Sequence, residues 1–132
     1  MVKCGKTVLV VEDELEILTL LTQLLTNAGY DVFPAGDAFQ AISICENVGS
    51  VLDLILTDYN LPGLNGILLA DRLQEVQPDL KTIFMSGNCE VEALLEKRSI
   101  FLRKPIDCNE LLDMIRKTLE LSLGDSPAAT CI

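Results

Sequence analysis

The stretch that most constrains this chain is Leu54-Ile55-Leu56-Thr57, an apolar run without polar alternation. It stops at Asp58 and gives way to the loop Tyr59-Asn60-Leu61-Pro62-Gly63-Leu64-Asn65-Gly66. A run of this kind reads as a strand covered on both faces, the signature of a parallel sheet in an α/β fold. Such folds bind ligands beyond the carboxyl ends of their strands, so Asp58 is a candidate functional group. Thr7-Val8-Leu9-Val10-Val11 has the same character and also ends in acid, at Glu12, Asp13 and Glu14.

The remaining pattern alternates strand and helix. A helix is predicted from about Glu14 to Ala28, with Ile17, Leu21, Leu24 and Ala28 on one face and Gly29 as its stop. Leu15, Leu18, Leu20 and Leu25 make it more apolar than one buried face requires, so either neighbours cover it from two sides or it offers a docking patch. Tyr30 to Pro34 alternates and carries a proline, which suits an edge strand. Asp37 is placed to cap a helix running to about Asn47, with Ala38, Ala41, Ile42 and Cys45 inward and Gly49 ending it. The Leu52 to Thr57 strand, a helix from Gly66 to Gln77 closed by Pro78, and a strand from Leu80 to Met85 follow. Glu90 to Lys97 allows about two turns of helix before a short strand, Ile100-Phe101-Leu102. Asp107 and Glu110 resemble a capping box opening a last helix through Leu111, Leu112, Ile115 and Leu119. Residues 1–5 read as an extension, 6–122 as one domain and 123–132 as a disordered tail. The expected architecture is a doubly wound, mostly parallel five-stranded sheet built from right-handed βαβ units.

Composition narrows the function. The net charge of −10 opposes contact with nucleic acid phosphates, so direct nucleic acid binding is not expected. No apolar run approaches the ~20 residues that cross a bilayer, and the N-terminus lacks signal-peptide character, so the chain reads as cytoplasmic without membrane insertion. The five cysteines are widely spaced with no CxxC pair, fitting neither a disulfide scaffold nor a zinc site. There is no histidine, which excludes every His-based triad and acid/base scheme.

Four strands end in polar groups: Glu12 and Asp13, Asp58, Ser86 and Lys104. In a parallel sheet these ends share one edge, which gathers three carboxylates, a hydroxyl and an ammonium. Two carboxylates at ~4 Å repel by roughly 4 kcal/mol at an effective dielectric of about 20, so the cluster asks for a cation. Lys104 supplies one charge and an oxygen-ligated Mg²⁺ ion would supply more. A carboxylate beside both is equipped to act as a nucleophile toward phosphorus, with Ser86 bonding a phosphoryl oxygen.

These residues resemble the receiver domain of two-component response regulators over about residues 6 to 122. Val10-Val11-Glu12-Asp13-Glu14 resembles the family's acidic metal-binding turn, Leu56 through Gly66 its phosphoacceptor loop, Met85-Ser86-Gly87 its switch hydroxyl and Lys104-Pro105 its lysine-proline corner. The resemblance implies a flavodoxin-like fold with strand order 2-1-3-4-5 and a cis bond before Pro105. It also implies that Asp58 accepts phosphate from a histidine kinase or histidine phosphotransfer protein. Mg²⁺ would be held by Glu12, Asp13, Asp58 and the backbone carbonyl of Asn60, and the phosphate by Ser86 and Lys104. Ser86 and Phe101 would form the switch, and Asn60 and Asn88 would tune dephosphorylation. The signal would pass to a downstream effector or a parent chain, and the domain would catalyse only its own phosphorylation and dephosphorylation.

Two positions depart from the pattern. Glu12 stands where aspartate is commoner, and the Ser86 to Lys104 interval is shorter than in many receivers, implying a shortened fourth helix of the kind found in receivers attached to hybrid histidine kinases. Three alternatives use the same residues differently. An aspartate-nucleophile phosphatase would want a second carboxylate two residues after the nucleophile, where this chain has Asn60. A flavodoxin-like cofactor carrier would follow its first strand with a hydroxyl- or glycine-rich loop rather than Glu12-Asp13-Glu14. A non-phosphorylated interaction module would keep the fold alone.

Overall fold

Five parallel strands form one sheet in the order β2-β1-β3-β4-β5. The computed structural model describes residues 5–48, 51–62, 65–87 and 100–122, with the backbone alone for 100, 101, 121 and 122. The strands are β1 (Thr7–Val11), β2 (Asp31–Ala35), β3 (Leu54–Asp58), β4 (Lys81–Ser86) and β5 (Ile100–Arg103). Four helices lie among the described residues: α1 (Leu15–Asn27), α2 (Ala38–Val48), α3 (Gly66–Val76) and α4 (Cys108–Ser122). The short helix expected over 90–97 lies outside the described residues.

The apolar runs are continuous because both faces of the sheet are covered. Every residue of β1 and β3 is buried. Val8, Val10, Leu54, Leu56, Ile83 and Met85 face α1 and α4, packing on Leu18, Leu25, Leu111 and Ile115. Leu9, Val11 and Ile55 face the other way, onto Ala38, Ala41 and Cys45 of α2 and Leu69 and Leu73 of α3. Each such side chain contributes roughly 1.5–3 kcal/mol by burial, against about 1 kcal/mol for a helix cap. Packing on the sheet, more than capping, therefore holds the helices. β2 is an edge strand, where the missing N–H of Pro34 is tolerated.

Local signals set the helix ends. Gly29 takes φ +102° and its N–H bonds the Thr26 carbonyl, the left-handed stop that glycine adopts without a Cβ penalty. Asp37 Oδ1 accepts from the Gln40 amide (2.8 Å), Asn65 Oδ1 from Leu68 (2.9 Å) and Asp107 Oδ1 from Glu110 (3.0 Å). One expectation is corrected: in α1 the buried side chains are Leu18, Leu21 and Leu25, while Ile17 and Leu24 are half-buried and Ala28 is exposed. The helix is so rich in leucine that several stripes satisfy a period of 3.6, and the position of the sheet selects among them. No helix among the described residues is long and apolar enough to cross a membrane.

Candidate functional site

Strand register brings the polar ends together. Val11 is level with Thr57, Asp58 with Met85 and Ser86 with Arg103. Glu12, Asp58, Ser86 and Lys104 therefore emerge at one carboxyl edge. Backbone bonds continue the ladder there: Glu12 N–H to the Ala35 carbonyl (3.1 Å), Tyr59 N–H to Met85 (2.9 Å) and Lys104 N–H to Ser86 (2.9 Å). The Lys104–Pro105 bond is cis, as the resemblance implies.

The Lys104 ammonium donates to Asp58 Oδ2 at 3.0 Å and to Glu12 Oε1 at 3.2 Å, bridging residues 46 and 92 positions away. The second oxygen of Glu12 accepts from the Glu14 amide (3.1 Å), and Asp58 Oδ1 accepts from the Asn60 amide (3.3 Å). Carboxylate oxygens of Glu12, Asp13 and Asp58 lie within 4.8 Å of one another. Glu12 and Asp58 are buried and Asp13 is exposed, so the cluster is open to solvent on one side. Ser86 is fully buried beneath it.

Burial pushes the Glu12 carboxyl above its ordinary range, and the Asp58 charge adds to this against the Glu14 amide and Lys104. Burial alone would lower the Lys104 ammonium. Its hydrogen bond to Asp58, with the charges of Asp58 and Glu12, outweighs burial and leaves it raised. A carboxyl raised in the fold binds more protons folded than unfolded, so its contribution to stability falls as pH rises from about 4.5 through the folded value. Glu12→Gln is therefore expected to melt above the wild type at pH 7 without metal, the gap closing toward pH 4.5. Equal melting temperatures at pH 7 in thermal scans of the two proteins would contradict this.

A family model described as the response regulator receiver domain matches residues 8–116. The chain belongs to that family. It is 29% identical over 121 residues to sporulation initiation phosphotransferase F of Bacillus subtilis, covering 89% of this chain and 96% of that protein. It is 32% identical over 119 residues to the sensor kinase CckA of Brucella abortus, covering 86% of this chain but 12% of the kinase. Among solved structures, response regulator TrrA from Thermotoga maritima in complex with Mg²⁺-BeF superposes with a TM-score of 0.75 at 25% identity, covering 86% of this chain and 98% of that one.

Within this receiver domain the structure gathers Glu12, Asp13, Asp58, Ser86 and Lys104 at one edge, with Asn60 beside Asp58. Asn88 and the Phe101 side chain lie outside the described residues. Sequence reasoning left one feature as an open alternative and missed another. A groove of about 500 Å³, lined by Ile17, Leu20, Leu21, Leu24, Pro105 and Ile106, adjoins the site through Lys104. The surplus leucines of α1 were its sequence signal. Gly66 packs directly against the Asp58 backbone, where a Cβ would lie 2.6 Å from the Asp58 carbonyl oxygen. No local sequence signal marks that approach, because it depends on how α3 returns to the sheet.

Proposed function

We propose that this receiver domain takes a phosphoryl group onto Asp58 from a phosphohistidine and signals through altered partner binding. The observation that carries the reading is the Lys104 ammonium held between Asp58 and Glu12 beside a three-carboxylate cluster. Transfer breaks the P–N bond of the donor and forms a P–O bond to an Asp58 carboxylate oxygen, and the released imidazole nitrogen takes a proton. Lys104 offsets the phosphoryl charge and the Ser86 hydroxyl bonds one of its oxygens. By the resemblance of the sequence to other receivers, Phe101 pairs with Ser86 as the switch, and Asn60 and Asn88 set the lifetime of the phosphate. A donor helix seated in the α1–Pro105 groove meets Lys104 at its end, next to Asp58.

Three oxygen donors within 4.8 Å suit a hard divalent cation, and Mg²⁺ would be held by Glu12, Asp13, Asp58 and the Asn60 carbonyl. Bound there, it supplies positive charge against the carboxylates and the incoming phosphoryl oxygens. TrrA, solved with Mg²⁺-BeF, supports this choice of ion. Millimolar Mg²⁺ is expected to raise the melting temperature by a few degrees, following the logarithm of free metal over its dissociation constant. Asp13→Asn is expected to reduce the shift by half or more, and a wild-type melting temperature indifferent to Mg²⁺ would remove the metal from the reading. The chemistry is tested by intact mass after incubation with Mg²⁺ and acetyl phosphate. Gain of one phosphoryl group supports the reading, and no gain sinks it.

A further inference from the structure

Leu15, Phe39 and Leu68 are 74%, 76% and 50% exposed, costly positions for large apolar side chains in a free domain. Each occupies the first turn of a helix that follows a strand ending at the sheet edge that carries the site: α1 begins at Leu15, α2 at Ala38 and α3 at Gly66. Val11 is in register with Ala35 on one side and Thr57 on the other, so the three first turns stand around one edge of the sheet. α1 packs on one face while α2 and α3 pack on the other. Hydrocarbon therefore flanks the acidic cluster from both sides. Single exposed apolar residues are ordinary, whereas three in corresponding positions around one mouth make a contact surface.

The charge around them has one sign. From Thr7 to Asp71 the sequence contains no Lys, Arg or His. Asp13, Glu14 and Glu16 are exposed and Asp37 is half-buried at the same edge. The Lys104 ammonium is turned inward onto Glu12 and Asp58. A macromolecule approaching over β1, β2 and β3 meets carboxylates and hydrocarbon, which repels an acidic surface and attracts a basic one.

We infer that Leu15, Phe39 and Leu68, with this acidic rim, form a collar that docks a protein surface of lysine or arginine around apolar residues, carried by the phosphohistidine donor. The inference rests on the phosphoacceptor reading of Asp58 and adds the chemistry of the donor's face. It extends contact to α2, on the opposite side of the sheet from the α1 groove.

Two synthetic amphipathic helical peptides, each bearing one phosphohistidine, test it: one flanked by Leu and Lys, the other by Leu and Glu. At low salt the lysine peptide is expected to phosphorylate the domain at least tenfold faster, and the difference should shrink as salt screens the rim. Phe39→Ser with Leu15→Ser is expected to slow the lysine peptide several-fold. Labelling by acetyl phosphate and the melting temperature should stay unchanged, since both side chains are mostly exposed. Equal rates from the two peptides, or a double variant that accepts from the lysine peptide as fast as wild type, would overturn the collar while acetyl phosphate labelling leaves the phosphoacceptor reading standing. Failure of every donor, acetyl phosphate included, would overturn both.

Discussion

Asp58→Asn is expected to abolish phosphoryl uptake from acetyl phosphate completely while leaving the fold intact. The substitution is nearly isosteric at a residue that sits 6% exposed at the end of β3, so its neighbours need not move. Among the described residues it removes the one carboxylate that combines burial beside Lys104 with access to the open side of the cluster. The nearest rivals are poorly suited. Glu12 is fully buried, with one oxygen on Lys104 and the other on the Glu14 amide, and among the described residues the Lys104 ammonium pairs with Glu12 and Asp58 rather than with Asp13. An amide nitrogen or oxygen at position 58 is a poor nucleophile toward phosphorus, so no slower version of the same reaction remains. Losing one of two carboxylates facing Lys104 also relieves repulsion with Glu12, which should hold the metal-free melting temperature at or above that of the wild type. Intact mass after acetyl phosphate treatment, with a thermal scan on the same sample, reads both effects. A phosphoryl adduct on the variant would show that another residue is the acceptor.

The sheet and its polar ends were legible because strands covered on both faces cannot alternate. Val8 to Val11 and Leu54 to Leu56 had to be continuous apolar runs, and the first charged residue after each, Glu12 and Asp58, had to mark the sheet's edge. Once parallel connectivity was granted, Glu12, Asp58, Ser86 and Lys104 converged by topology alone. What the sequence withheld is set by distant packing. That one ammonium reaches both Glu12 and Asp58 depends on the order of four strands and the path of the chain through Lys104–Pro105. The buried stripe of α1 was misplaced because Ile17, Leu18, Leu21, Leu24 and Leu25 satisfy helical spacing in more than one way, and only the position of β1 and α4 decides which of them meets the core. The half-buried remainder became the wall of the groove beside Lys104. The Asn65 cap was hidden for a simpler reason: it ends a loop rich in Pro, Gly and Asn, where any of several polar residues serves.

Gly66→Ala is expected to destabilise the domain by about 2–3 kcal/mol, against the ordinary helical preference for alanine. Gly66 opens α3 with no positive φ, and propensity alone would favour alanine by roughly 0.5–1 kcal/mol there. Steric contact reverses the sign. The added methyl would lie 2.6 Å from the Asp58 carbonyl oxygen and 3.0 Å from the Tyr59 Cα, and both obstacles are backbone. Neither swings aside as a flexible side chain would, so α3 must shift or the turn after β3 must open, at the 1–3 kcal/mol typical of overpacking and at its upper end here. The turn is also pinned by the bond from the Gly66 amide to the Tyr59 carbonyl (2.6 Å), which the shift would stretch. A loss of this size lowers the melting temperature of a domain this long by roughly 10 °C. Because the strain bears on the backbone of Asp58 itself, acetyl phosphate labelling should slow even well below the melting point, which a loss of global stability alone would not do. Gly36→Ala supplies the contrast: its added methyl meets only the Gln40 side chain, at 3.5 Å, and the melting temperature should stay within about 2 °C of wild type. A Gly66→Ala variant that melts with the wild type would mean that α3 packs less closely on the phosphoacceptor strand than the structure shows.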